Sequence, residues 1–229
     1  RTRGRSRGPG PKFQQYPRIP IMIADDCRSR RPRGSRALFP GFLLASLCAM
    51  PVGAEPREFV IDPDHFGISF RVRHIGYADT LGMFLRASGR FVYDEATRTL
   101  HSARVVVDTA SVFSNHDKRD AHLRDADFLD VKSHPEAVFE ATGYEMAGEG
   151  KGRLRGTLTL LGESRPVELA VTLNKSAVYP FPPGLARYTL GISASTTLRR
   201  SDWGMDYAVA NGLVGDEVHM SFEFEANRQ

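Results

Sequence analysis

Between positions 115 and 124 the sequence gathers Asn115, His116, Lys118, Arg119, Asp120, His122 and Arg124. A guanidinium presents a planar fork of donors that bonds oxyanions bidentately. The segment therefore has the chemistry of a polar collar, able to hydrogen-bond a head group such as a pyrophosphate or a quinone carbonyl. The same residues support a plainer reading, in which Arg119, Asp120 and Arg124 satisfy one another and pin a helix in place. His74 shares a strand parity with Phe70 and Val72. An imidazole buried there must find a partner, because an unsatisfied polar group costs about 1–3 kcal/mol; a ligand carbonyl, a backbone group or an aspartate would serve. His116 and Asp120 share a helical face, but His122 falls on another, His134 lies further on, and no HxxxH or HExxH spacing occurs. No metal centre is expected from that pattern. Nor is there a GxSxG elbow or a glycine-rich phosphate loop leading into a helix, and serine, histidine and aspartate occur without triad-like spacing. Trp203, in the segment Ser201 to Met205, can line a pocket or plug a barrel end.

These side chains must be positioned mainly by strands, because period-two alternation dominates the chain after residue 55. Alternating runs cover Phe66 to His74, Met83 to Tyr93, Ala103 to Val107, Ala137 to Gly143, Leu154 to Leu160, Val167 to Leu173, Tyr188 to Ala194 and Val218 to Phe224. Turn-like pairs such as Glu149-Gly150 and Gly162-Glu163 separate some of them. Eight antiparallel strands with one polar and one apolar face predict a closed barrel or a sandwich. One segment breaks the pattern: Asn115 is placed to N-cap a helix from His116 to about Asp125, with Ala121 and Leu123 as its apolar positions, and residues 126–134 return to the sheet. Inward positions mix Phe70, Phe91, Phe139, Phe222 and Phe224 with Ala103, Ala137, Ala141, Gly143, Gly156 and Ala194. Small residues in that pattern leave room for something elongated and apolar, or else build a tapered, filled core.

The composition divides at residue 54. The whole chain carries 31 Lys and Arg against 27 Asp and Glu, a net charge of +4. Residues 1–54 hold 11 of the bases and two acids, a balance of +9, which leaves 20 bases against 25 acids, or −5, for residues 55–229. Both cysteines, Cys27 and Cys48, lie in the first part. The remainder therefore excludes thiol catalysis, thiolate zinc sites and disulfides, and its interspersed acids argue against nucleic acid as a partner. The basic run Arg28 to Arg36, the apolar stretch Ala37 to Met50 and the small-residue exit to Ala54 read as a cleaved secretory signal peptide over residues 22–54, too short to span a bilayer comfortably. Acylation at Cys48 or twin-arginine export through Arg30-Arg31 fits less well. Met22 is the expected translation start, making residues 1–21 a non-translated or disordered extension. The expected location of the mature protein is periplasmic.

The motifs are sharper than the periodicity. The run from Val107-Asp108-Thr109-Ala110-Ser111-Val112 through Asn115-His116, Arg119-Asp120 and His122-Leu123-Arg124-Asp125-Ala126-Asp127-Phe128-Leu129-Asp130-Val131 strongly resembles the YceI-like family. In order around it stand Phe59-Val60-Ile61-Asp62, His74-Ile75-Gly76, Gly89-Arg90-Phe91, His134-Pro135-Glu136-Ala137-Val138-Phe139, Gly156 to Gly162, Arg199-Arg200-Ser201-Asp202-Trp203-Gly204-Met205 and Gly215-Asp216-Glu217-Val218. The resemblance spans residues 57–226 and implies an all-β fold, an eight-stranded antiparallel lipocalin-like barrel with one short helix, over a domain of residues 55–229. It also implies an exported binding protein that holds a polyisoprenoid or an isoprenoid quinone for transport, storage or sequestration. The expected ligand contacts are Phe70, His74, Phe84, Phe91, Phe113, Asn115, His116, Arg119, His122, Phe128, Phe139, Trp203, Met220 and Phe222. Phe113-Ser114 departs from the family, which more often has Thr and a small acidic residue there; an aromatic at 113 would narrow or line the cavity mouth. No catalytic residue, metal or cofactor beyond the bound lipid is expected; transient membrane contact and a homodimer stay open. The alternative is an enzyme or redox accessory acting on an isoprenoid quinone, with His74 or the helix polar groups as proton donors.

Overall fold

The structure, a computed structural model, describes residues 55–181 and 186–229; the expected signal peptide and the extension before it lie outside the described residues. The alternating segments form ten antiparallel strands: β1 (Arg57–His74), β2 (Ala78–Phe84), β3 (Ala87–Asp94), β4 (Thr99–Asp108), β5 (Val112–Phe113), β6 (Glu136–Gly148), β7 (Lys151–Leu160), β8 (Glu163–Val178), β9 (Tyr188–Arg199) and β10 (Val214–Arg228). One helix, α1 (Asp117–Arg124), follows β5, and short 3-10 turns occupy Thr109–Ser111 and Arg200–Trp203.

Eight of the strands close a ring. The order is β10-β9-β8-β7-β6-β4-β3-β1, and β1 pairs back onto β10, so the long strands leave no open edge. β2 and β5 stand outside the ring as an annex. The reason is the length of β1: its first residues, Arg57 to Val60, pair with β3, whereas Ile68 to His74 pair with β2. The register with β10 slips between Ile61 and Phe66, where the Asp62 carboxylate accepts the Asp64 N–H at 3.0 Å and the Asn227 amide at 3.1 Å.

Two local expectations are corrected. The run Met83 to Tyr93 is two strands, interrupted at Leu85 and Arg86. The Leu85 N–H donates to the Ser111 carbonyl, the Arg86 N–H to Ser111 Oγ, and the Arg86 carbonyl accepts the Asp108 N–H, so these backbone groups serve a crossing rather than a ladder. The cap of α1 is His116, whose Nδ1 accepts the Arg119 N–H at 3.2 Å. Asn115 is instead a turn residue with φ of +60°, a conformation that asparagine tolerates better than most.

Buried residues gather in two clusters, one toward each end of the barrel. At one end Phe59, Phe91, Tyr93, Leu190 and Ala226 pack together, with the Phe59 and Phe91 rings stacked at 5.3 Å. At the other, Val112, Phe128, Leu129 and Met205 pack beneath α1, with Leu123 of the helix against them.

Asp216 fastens the second end. Its carboxylate accepts the Ser201 N–H and hydroxyl, each at 2.9 Å, and Arg199 Nε at 3.2 Å, tying the turn Arg200–Trp203 to β10. Burial works against the charged form, but the Ser201 and Arg199 bonds outweigh it and hold the carboxyl below its usual value. A carboxylate with a depressed native pKa contributes stability above the unfolded pKa, about 3.9, and loses it as pH falls through the native value. Asp216→Asn is therefore expected to lower the urea midpoint at pH 7, with the gap to the parent closing as the solution is acidified below about pH 4.

Candidate functional site

Strand alternation turns Val105, Phe139, Leu158, Val171, Ile192 and Phe222 into the ring, where they line a cavity of about 610 Å³. That lies within the span of about 300–1,000 Å³ common to small-molecule sites. Along β10 the lining runs from Val214 to Phe224; at a rise of about 3.3 Å and a tilt of about 35–45° this gives an axial length on the order of 25 Å. Phe70, Phe139, Leu154, Leu158 and Phe222 face inward yet stay only half-buried, because their inner surfaces meet the lumen instead of other side chains.

Glycines keep the lumen open. Phe70 pairs across the ladder with Gly82, and its ring lies where a Cβ on Gly82 would sit; the Phe139 ring does the same over Gly156, and the Tyr144 ring over Gly152. Each ring folds flat against the wall through space that any other residue would occupy. At Gly82 the three atoms nearest to that Cβ all belong to the Phe70 ring, whereas at Gly156 the Glu140 carbonyl also intrudes.

The cavity is floored by Phe91, whose ring stacks on the fully buried Phe59 behind it, and by Tyr93, set edge-on to Tyr144. Its mouth is marked by residues that line it and are also strongly exposed: Arg73 and His74 at the end of β1, Ile75 in the turn after it, Arg119 on α1, and Tyr207 and Leu213 in the loop before β10. His122, Phe128 and Tyr207 form an aromatic cluster in that wall, with ring centroids 4.9 to 5.3 Å apart, and His122 Nε2 lies 2.8 Å from the Asp127 carboxylate.

Arginines hold this end together. Arg200, 4% exposed, donates to the carbonyls of Gly215, Met205 and Tyr207 at 2.8 Å each and of Val214 at 3.1 Å, and stands over the Phe128 ring. Burial lowers its pKa from the ordinary value, an effect that Asp216 and Asp206 partly offset. Arg124 donates to the carbonyls of Ala110 and Val112 at 2.8 and 2.5 Å. Arg119 donates to Ser114 Oγ and to the Ser114 carbonyl, while the buried Asp120 carboxylate accepts the Ser114 N–H and hydroxyl. The polar residues of this segment thus do pin the helix, but chiefly through main-chain groups rather than salt bridges to one another.

Of the expected contacts, Phe70, Phe84, Phe91, Phe128, Phe139, Trp203, Met220 and Phe222 line the cavity, together with His74, Arg119 and His122 at its mouth. Trp203 is also buried, with its indole Nε1 donating to the Leu158 carbonyl at 3.3 Å, so it is wall and plug at once. Three expected contacts do not line it. Phe113 pairs with Met83 in the annex and is exposed, so it does not narrow the mouth; Asn115 is an exposed turn residue; His116 spends its ring on the helix cap. His74 is exposed at the end of β1 instead of buried in the core, because the lumen widens to solvent there. Arg200, Tyr207 and Gly82 have roles that the sequence does not display. Arg200 sat inside a recognisable motif, but its partners are four carbonyls that no spacing displays, and the Gly82–Phe70 match needs the strand register. A metal-like grouping appears away from the lumen, where Asp62, His65 and Glu225 converge. Asp62 is already engaged there by Asp64, Asn227, His65 and Arg187.

Comparison with known proteins adds four findings. Residues 59–226 match the family model of the YceI-like domain. A UPF0312 protein of Vibrio cholerae serotype O1 is 34% identical over 179 residues, covering 77% of this chain and 93% of that protein. Among solved structures, Burkholderia cenocepacia BcnA superposes with a TM-score of 0.64 at 22% identity, over 72% of this chain and 98% of that one. A polyisoprenoid binding domain from Saccharophagus degradans superposes with a TM-score of 0.54 at 14% identity, over 76% of this chain and all of that one.

The bore of the cavity is directly testable. Gly82→Ala should drive the Phe70 ring into the lumen, costing about 1–3 kcal/mol of stability as overpacking does and weakening uptake of a lumen-binding fluorescent apolar dye. Adding Phe70→Leu should restore both. Unchanged dye binding in the single variant would show that the ring does not set the bore.

Proposed function

The chain belongs to the YceI-like domain family, and from that premise we propose that it is an exported, periplasmic binding protein. It holds an isoprenoid lipid, either a polyisoprenoid or an isoprenoid quinone, in the barrel lumen for transport, storage or sequestration. The observation that carries this reading is the lumen: an apolar tube closed by aromatic rings at one end and open at the other, where basic side chains collect. The polyisoprenoid binding domain of Saccharophagus degradans shares the fold and supports the choice of ligand class; the leader-like first 54 residues support export.

The chemistry of binding follows from the geometry. Each five-carbon unit that enters removes on the order of 100 Å² of apolar surface from water, worth about 2–3 kcal/mol gross. Ordering a flexible tail and withdrawing it from a membrane offset much of that, so affinity comes from tail length and fit. The mouth supplies preference for the head group. Arg73 and Arg119 offer N–H donors at the rim, and no carboxylate lines the cavity among the described residues. A carbonyl or phosphate oxygen is the group such a rim accepts. His122 is engaged by Asp127, and the groups around the lumen stand as walls and anchors, an arrangement that suits holding a lipid better than transforming it.

Mass spectrometry of a gentle organic extract of the purified protein tests the reading. A stoichiometric isoprenoid is the expected result, and removing it should lower the melting temperature, since a ligand bound only by the native state stabilises it by mass action. A protein that carries no isoprenoid, and whose melting temperature does not move when one is added, would overturn the proposal.

A further inference from the structure

The end of the barrel that carries the mouth also carries apolar side chains that the fold leaves outside. The turn between β1 and β2 exposes Ile75 (46%) and Tyr77 (89%), and the loop before β10 exposes Tyr207 and Leu213 (44% each). The two segments are joined: the Ile75 N–H donates to the Leu213 carbonyl at 3.0 Å, and Arg200 grips the loop from behind through the carbonyls of Tyr207 and Val214. Ile75 stands at φ of +50°, in a region that a β-branched residue adopts at a cost and that turn chemistry assigns to glycine or asparagine. A bulky apolar residue at such a position points to a use for its side chain beyond the turn.

Apolar surface also reaches from inside to outside, because Ile75, Tyr207 and Leu213 line the cavity and meet solvent at once. The rim carries two arginines although the body as a whole is acidic. Arg73 and Arg119 stand at the rim, with Asp79 pairing with Arg73 at 3.1 Å, whereas residues 55–229 as a whole carry −5. Exposed apolar side chains beside arginines, with tyrosines among them, suit the boundary between head groups and acyl chains.

We propose that this end of the barrel docks on an anionic lipid bilayer, with Ile75, Tyr77, Tyr207 and Leu213 seated at the head-group boundary and Arg73 and Arg119 facing lipid phosphates. The mouth then opens onto the acyl layer, and a long apolar tail passes between membrane and lumen without crossing water. This rests on the isoprenoid-binding reading for its purpose, but docking itself is measured independently of any cargo.

The test is hydrogen exchange, resolved by peptide, on the full chain with and without vesicles of phosphatidylethanolamine and phosphatidylglycerol. Protection on adding vesicles is expected in residues 73–79 and 205–214. No protection there, or protection confined to other described segments, overturns the proposal. Tyr77→Ser, and separately Ile75→Ser with Leu213→Ser, should abolish that protection and slow uptake of isoprenoid from the vesicles about tenfold or more, with the melting temperature of the exposed Tyr77 variant unchanged. Should the variants instead dissociate a dimer of the parent in sedimentation, while vesicles protect neither segment, the surface joins two copies of this chain and the proposal fails. The two readings fail separately: an empty organic extract removes the isoprenoid, whereas a loaded protein without protection at the mouth removes only the docking.

Discussion

Closure of the ring is the constraint from which the rest follows. Once β1 pairs with β10, eight strands fix a circumference, and with it an interior that the inward side chains do not fill. A barrel in this position cannot bury its wall against itself. It finds its dry core at the ends, where Phe59 and Phe91 stack on one side and Phe128, Leu129 and Met205 pack on the other. The middle is left as apolar surface facing a tube, and what enters the tube completes the packing.

The irregular segments at the mouth pose a second problem, since carbonyls outside a ladder still need donors. Arg119, Arg124 and Arg200 solve it by donating to main-chain oxygens of residues 110, 112, 114, 205, 207, 214 and 215. One guanidinium reaches several such groups at fixed angles, which lysine cannot do. The density of arginine in these motifs is in good part architecture, and Arg73 and Arg119 are the cations that keep a face toward the mouth.

Much of this was legible in the sequence. Alternation placed Phe70, Phe139 and Phe222 on the inner face because side chains in a strand have nowhere else to point, and the long motif around Asp120 identified the family and hence ring closure, which periodicity left open between barrel and sandwich. The misses have physical causes. His74 kept the inward parity but stood past the depth at which parity implies burial. Asn115 looked like a cap, yet the cap fell one residue later because the chain turns through a positive φ there. The break at Leu85 and Arg86 was hidden because Ser111 and Asp108, the residues that take their hydrogen bonds, are distant in sequence.

The flat aromatic rings have a consequence for how such a protein can change. The circumference depends on main-chain pairing, whereas the calibre of the tube depends on whether a ring has a glycine to lie on. The bore is thus written at its own positions, Phe70 with Gly82 and Phe139 with Gly156, apart from the pairing that closes the ring. A descendant could exchange one cargo for a thinner or a stouter one by altering a single such couple, keeping the ring, both end clusters and the arginine scaffold as they are.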